Sequence, residues 1–125
     1  MRDVISTGRA PKAIGPYSQA IRTAGFVFTS GQVAIDPDTQ QVIAGDVAAQ
    51  TDRVLQNLAG ILEAAGSGLD KVVRCTVFLK NMGDFGAMNE VYGRYFKEEA
   101  PSRSTVEVAR LPKDVLVEID AIALA

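Results

Sequence analysis

The sequence predicts an α+β domain in which one mixed sheet is backed by two helices, in the order β-β-α-β-α-β-β. Three observations carry that expectation. Apolar or small residues from Val47 to Ala65 recur in steps of three and four, the period of one helical face. The runs Val72–Leu79 and Leu116–Ala123 are rich in β-branched side chains, which suit a pleated, half-buried surface. The 125 residues, 47% hydrophobic and 22% charged, support a single domain, residues 1–125, and no second one.

In chain order, Ser18–Thr23 and Phe26–Ser30 read as a hairpin. Thr23-Ala24-Gly25 forms its turn, with Gly25 free to take a positive φ. Asp36-Pro37-Asp38-Thr39 reads as a second turn and Gln41-Val42-Ile43 as a short return strand. Asp46 caps the Val47–Ala65 helix, and Gly66-Ser67-Gly68 ends it. Val72–Leu79 reads as a central strand. Met82–Glu98 reads as a second helix, with Asn81 as N-cap, Asp84 completing a partial capping box and Pro101 beyond its end. Phe85, Met88, Tyr92, Tyr95 and Phe96 share one side of it, more in keeping with core than with a stacking platform. Alternating strands over 103–108 and 116–123 close the chain, with Leu111–Asp114 as the turn between them. Two helices cover one face of such a sheet. The apolar character of Phe28, Leu116 and Ile122 argues that the other face meets a second copy.

Composition excludes several chemistries. With no histidine, neither a Ser-His-Asp nor a Cys-His mechanism can be built. One cysteine, Cys75, permits no intramolecular disulfide and leaves a Cys/His zinc site short of ligands. Within an apolar strand, Cys75 reads as a small core residue. A net charge of −2 argues against a nucleic-acid binder that relies on a broad basic surface. Met1–Gly8 has no long apolar run, and no stretch reaches a membrane-spanning length, so the expectation is a cytoplasmic protein without a membrane partner.

Two residues remain as candidate chemistry. Arg103 opens a strand among small polar residues, where a guanidinium can hold a carboxylate bidentately, each sheltered bond contributing about 1.5–3 kcal/mol. Glu118 sits in the apolar run 115–122 and could orient or deprotonate a water. Burial would raise its pKa and a neighbouring arginine would lower it. The bland alternatives are a solvated strand-end arginine and a carboxylate on the wet face of an antiparallel strand, and local pattern alone leaves both open.

Three segments then point to a family. Ala10-Pro11-Lys12-Ala13-Ile14-Gly15-Pro16-Tyr17-Ser18-Gln19-Ala20, Phe28-Thr29-Ser30-Gly31-Gln32-Val33, and Pro101 to Asp114 continuing through Glu118 to Ala121 resemble, in order, the signatures of the RidA/YjgF family of reactive intermediate deaminases. The resemblance implies a chorismate-mutase-like α+β fold. It also implies a homotrimer around a central barrel, with a pocket between neighbouring subunits. It implies hydrolysis of 2-imino acids and their enamines, such as 2-aminoacrylate, 2-iminopropanoate and 2-iminobutanoate, to 2-keto acids and ammonium, with no cofactor and no metal. By motif position, Arg103 would clamp the substrate carboxylate and Glu118 would activate water. Tyr17 and Ser30 would line the pocket, Gly31 would allow close backbone approach, Asn89 would lie near the cleft, and the Thr105 backbone would face the substrate nitrogen. Thr105 stands where many relatives carry cysteine, so no thiol role is implied there. Two other readings accompany the deaminase: a trimer that senses 2-keto acids without turnover, and a ribonuclease or translation inhibitor, against which the missing histidine and the acidity count.

Overall fold

The computed structural model describes residues 1–125. Its elements are β1 (Asp3–Ile5), β2 (Ala20–Thr23), β3 (Phe26–Thr29), β4 (Ile35–Asp36), β5 (Gln41–Val42), α1 (Val47–Ala64), β6 (Val72–Leu79), α2 (Phe85–Tyr95), β7 (Ser102–Glu107) and β8 (Val117–Leu124). Six strands form one mixed sheet in the order β1-β2-β3-β8-β6-β7, and β4 and β5 form a separate hairpin. The expected α+β order is present; the return strand read at Gln41-Val42-Ile43 is β5, and β1 and β4 are additions. Asp3–Ile5 is too short to show a period; it is recruited by pairing with β2, which buries Ile5 and brings Arg22 Nε within 3.3 Å of Asp3 Oδ2.

The local signals act as expected at most joints. Ala24 (φ 52°) and Gly25 (φ 83°) both take positive φ, the requirement of the tight turn that suits hairpin twist. Asp46 accepts a hydrogen bond from the Ala49 amide at 3.0 Å and caps α1. At the other end Gly66 (φ 81°) reverses the chain, so that the Ser67 and Gly66 amides donate to the Leu62 and Glu63 carbonyls. The stripe Val54, Leu55, Leu58, Ile61 and Leu62 is fully buried in one core cluster with Val77, Val117 and Ile119 of the sheet. Truncating one of these, Leu58→Ala, would cost about 2–5 kcal/mol through lost contacts and a cavity.

The second helix differs from expectation at both ends. Met82–Asp84 is a 3₁₀ turn, capped by Asn81 through the Gly83 amide at 2.8 Å, and Asp84 makes no capping bond. The α-helix stops at Tyr95 because Phe96 leaves helical geometry to be buried with its ring centroid 4.6 Å from that of Tyr92.

The final two strands are not neighbours. α2 crosses over and returns β7 parallel to β6, while β8 pairs antiparallel with β6 from the other side. The Leu111–Asp114 turn therefore links strands separated by β6. That makes β6 central, with Cys75, Val77 and Leu79 fully buried beneath the helices. The opposite face is open and apolar in part. Val4, Ile21, Phe28 and Ile122 lie in register across it, and Phe26 pairs with Leu124. Leu116 is not on that face: it precedes β8 and packs against the core.

Candidate functional site

The register decides where each candidate side chain stands. Paired residues point to the same side of a sheet and successive ones alternate. Arg103 pairs with Cys75, which pairs with Ala121, so Arg103 belongs to the helix-covered face. Glu118 pairs with Phe78, which pairs with Val106, so Glu118 belongs to the open face. One chain thus carries the two groups on opposite sides of its sheet.

The arginine half is built by α2. Arg103 Nη1 donates to Asn89 Oδ1 at 2.8 Å. Its guanidinium carbon lies over the Tyr92 ring, 4.7 Å from the centroid, and 5.5 Å from that of Phe85. The strand-end arginine is therefore not merely solvated, and Asn89, which the resemblance put only near the cleft, touches it. Thr105 lies on the same face of β7, an edge strand, and its hydroxyl is buried without a partner. Tyr92 is buried too, and burial, with the neighbouring Cys75 thiol adding to the rise, pushes its hydroxyl's pKa well above the ordinary phenol value. Cys75 is the core residue expected, its thiol pKa raised chiefly by burial.

The carboxyl half is built by the loops around β3. Gln32 and Ile119 exchange backbone hydrogen bonds of 2.8 and 3.1 Å, which pins Gly31 against Glu118. A Cβ on Gly31 would stand 2.9 Å from the Glu118 carboxyl carbon, closer than real contacts allow, so any larger residue there must push the carboxyl aside. Burial pushes the Glu118 carboxyl above its ordinary pKa, and the Asp120 carboxylate adds to the rise. The lowering that a neighbouring arginine could have given does not arise, since Arg103 is on the other face.

A cavity of about 440 Å³ is lined by Glu118, Gly31, Tyr17, Lys12, Ile14 and Lys113, among others. Tyr17 is half exposed and also borders an adjoining hollow with Ser30. The Ser30 hydroxyl donates to the Ser18 carbonyl at 2.6 Å, so it braces the Tyr17 loop as well as lining the hollow. Buried Gln19 ties that loop down, accepting from the Thr7 amide at 2.7 Å and donating to the Thr7 and Pro11 carbonyls at 3.0 and 2.8 Å.

Tyr17, Ser30, Gly31 and Glu118 are thus gathered on one half, and Arg103, Asn89 and Thr105 on the other. Sequence reading missed the bracing glutamines and the role of Phe85 and Tyr92 beside Arg103. The Phe85–Asn89–Tyr92 spacing, one stripe of a helix, was the available signal for the latter.

Fold and site together define a class: a small α+β domain that mounts a perturbed carboxyl and an aromatic-backed arginine on opposite faces of one sheet. The chain belongs to the L-PSP family of RidA/YjgF proteins; the family model described as Endoribonuclease L-PSP matches residues 7–125. A RutC family protein of Pyrococcus horikoshii is 57% identical over 123 residues, covering 98% of each chain. The mouse protein named 2-iminobutanoate/2-iminopropanoate deaminase is 47% identical over 124 residues, which is 99% of this chain and 92% of its own. The crystal structure of the Rid family protein YyfA from Yersinia pestis, 46% identical, superposes with a TM-score of 0.98 over 100% of both chains. No helix is long and apolar enough to cross a membrane.

Proposed function

We propose that this protein hydrolyses small 2-imino acids and their enamine tautomers to 2-keto acids and ammonia. The observation that carries the reading is the Glu118 carboxyl. It is half-buried, raised in pKa, seated against Gly31 where any side chain would push it aside, and open to a cavity. A carboxylate poised in this way is a stronger base than an ordinary one, and can take a proton from water and return it later in the cycle. The likeness to a deaminase over 99% of the chain supports the same reading.

The chemistry asked of the protein is modest. The enamine becomes the imine by gaining a proton at carbon and losing one from nitrogen. Arg103 holds the carboxylate of the imine through its remaining N–H donors. Glu118 removes a proton from water as the water oxygen attacks the imine carbon. The C=N electron pair moves to nitrogen, which takes up a proton. The tetrahedral adduct then re-forms a carbonyl and expels ammonia, so imine and water become keto acid and ammonia. An imine is already electrophilic, so positioning and water delivery supply most of what is needed.

Because Arg103 and Glu118 face opposite sides of one sheet, a single chain does not offer both to one small substrate. We therefore read the active unit as a homotrimer in which the arginine half of one copy meets the carboxyl half of the next. The open face carrying Val4, Phe28 and Leu124 supplies apolar surface for such assembly. Ribonuclease action is left aside: the chain has no histidine and a net charge of −2, whereas phosphate contacts dominate RNA affinity.

A coupled assay tests the reading. A serine/threonine dehydratase generates the imine, and keto acid release is followed with and without this protein. Acceleration that disappears with Arg103→Ala is expected. No acceleration by the wild type removes the deaminase reading and favours a sensor that binds keto acids without turnover.

A further inference from the structure

Helix α2 presents Phe85, Asn89 and Tyr92 at spacings of four and three, which places them along one stripe. Met88 and Val91 turn to the core in the usual way, and both are buried. The stripe is different, because its members close around a cation from another element. Asn89 takes one N–H of Arg103 at 2.8 Å, and the rings of Tyr92 and Phe85 lie 4.7 and 5.5 Å from the guanidinium carbon. Tyr92 is itself held, being only 5% exposed and packed on Phe96 with centroids 4.6 Å apart. Its hydroxyl lies by the buried Cys75 thiol and makes no hydrogen bond to Arg103, so the contribution of this side chain to Arg103 is the ring face and not the polar tip.

We propose that Tyr92 and Phe85 are positioning residues: their ring faces form an aromatic seat that, with Asn89, fixes the Arg103 guanidinium and leaves its other N–H donors free for a substrate carboxylate. The inference rests on the deaminase reading for the identity of the carboxylate, but the seat itself does not. Ring faces suit this task for a physical reason. They attract the cation through their quadrupole without taking any of its hydrogen-bond donors. A carboxylate partner for Arg103 would consume the donors that a bidentate grip needs. An unseated arginine would also lose rotamer freedom each time a substrate bound, and the seat removes that cost in advance.

The experiment has two readouts. Arginine side-chain NMR on the intact protein follows the Arg103 Nε–H and Nη–H signals, independently of any activity. In the wild type these signals are expected to be ring-current shifted and slow in guanidinium rotation. Tyr92→Phe keeps the shift, Tyr92→Leu loses most of it, and Phe85→Leu loses part. Phe85 is 36% exposed, so that variant folds even where truncating buried Tyr92 does not. In the coupled assay, Tyr92→Leu and Phe85→Leu raise KM by about 2- to 30-fold, the range of cation–π contributions, with a smaller change in kcat. Tyr92→Phe restores the wild-type KM.

An unshifted, freely rotating Arg103 in the wild type overturns the proposal, as does an unchanged KM in Phe85→Leu. A Tyr92→Phe variant as impaired as Tyr92→Leu also overturns it, since the hydroxyl would then be the working part. A wild type without turnover defeats only the deaminase reading; 2-ketobutyrate then serves as the carboxylate probe, with weaker binding to Phe85→Leu supporting the seat and equal binding sinking it.

Discussion

The two halves of the candidate site are built on opposite principles. The arginine half is finished within one chain: helix α2 supplies an amide and two rings, and Arg103 is hydrogen-bonded before any ligand arrives. The carboxyl half is left in tension. Glu118 is packed against Gly31, partly desolvated and close to Asp120, so its charged form is disfavoured. The difference teaches that an anchor gains from being satisfied in advance, whereas a proton carrier gains from being left uneasy.

The sharpest test of that contrast removes each half in turn. Arg103→Ala should lower kcat/KM by about 10²–10⁴-fold, the loss of a paired charge-assisted grip, as measured by keto acid release. Glu118→Gln should lower kcat by about 10²–10⁴-fold, the usual worth of a positioned acid–base group. With wild-type protein, kcat/KM should fall as pH drops through the raised Glu118 value, so its acid limb lies above that of an ordinary carboxyl group. A limb that survives in Glu118→Gln would assign it to another group.

Gly31→Ala probes the seating of Glu118 without touching its charge. The added methyl must displace the carboxyl, and an activity loss of about 10- to 100-fold is expected, as small misplacements carry such penalties. Wild-type activity in Gly31→Ala would break the link drawn between the two residues.

Coexpression of Arg103→Ala with Glu118→Gln asks whether the halves come from different copies. Random assortment leaves intact seams in about a quarter of sites, so roughly that share of activity should return. If none returns from mixed oligomers, the seam arrangement is wrong.

The smallest expected effect is on stability. The folded-state pKa of Glu118 is raised, so folding favours its protonated form. Its contribution is complete below the ordinary carboxyl pKa and is lost as pH rises through the folded value. At neutral pH Glu118→Gln should therefore raise the melting temperature by on the order of 1–3 °C, and the gain should shrink toward acid pH, as thermal scans would show. Arg103→Ala, which strips a satisfied contact, should shift melting the other way.

Much of this molecule was legible along the chain. The helix from Val47 depends on local signals: Asp46 at its cap, the apolar stripe, and Gly66 free to turn. The hairpin at Ala24-Gly25 is equally local. What misled were contacts made across the chain. Leu116 has the alternation of an open-face residue, yet it packs on the core just before β8 begins. Phe96 has the spacing of a helix residue, yet it ends the helix because stacking on Tyr92 buries it.

The sequence by itself determined the longer elements, the residue types at the site and, through its three ordered motifs, the family. Those depend on neighbours within a few residues, where capping, periodicity and turn chemistry act. Only the tertiary structure decided that Arg103 and Glu118 stand on opposite faces, that β6 parts β7 from β8, and that two rings from α2 seat the arginine. Sheet register and helix crossover fix these outcomes. They are settled by which apolar faces can be buried together, at separations that no local pattern encodes.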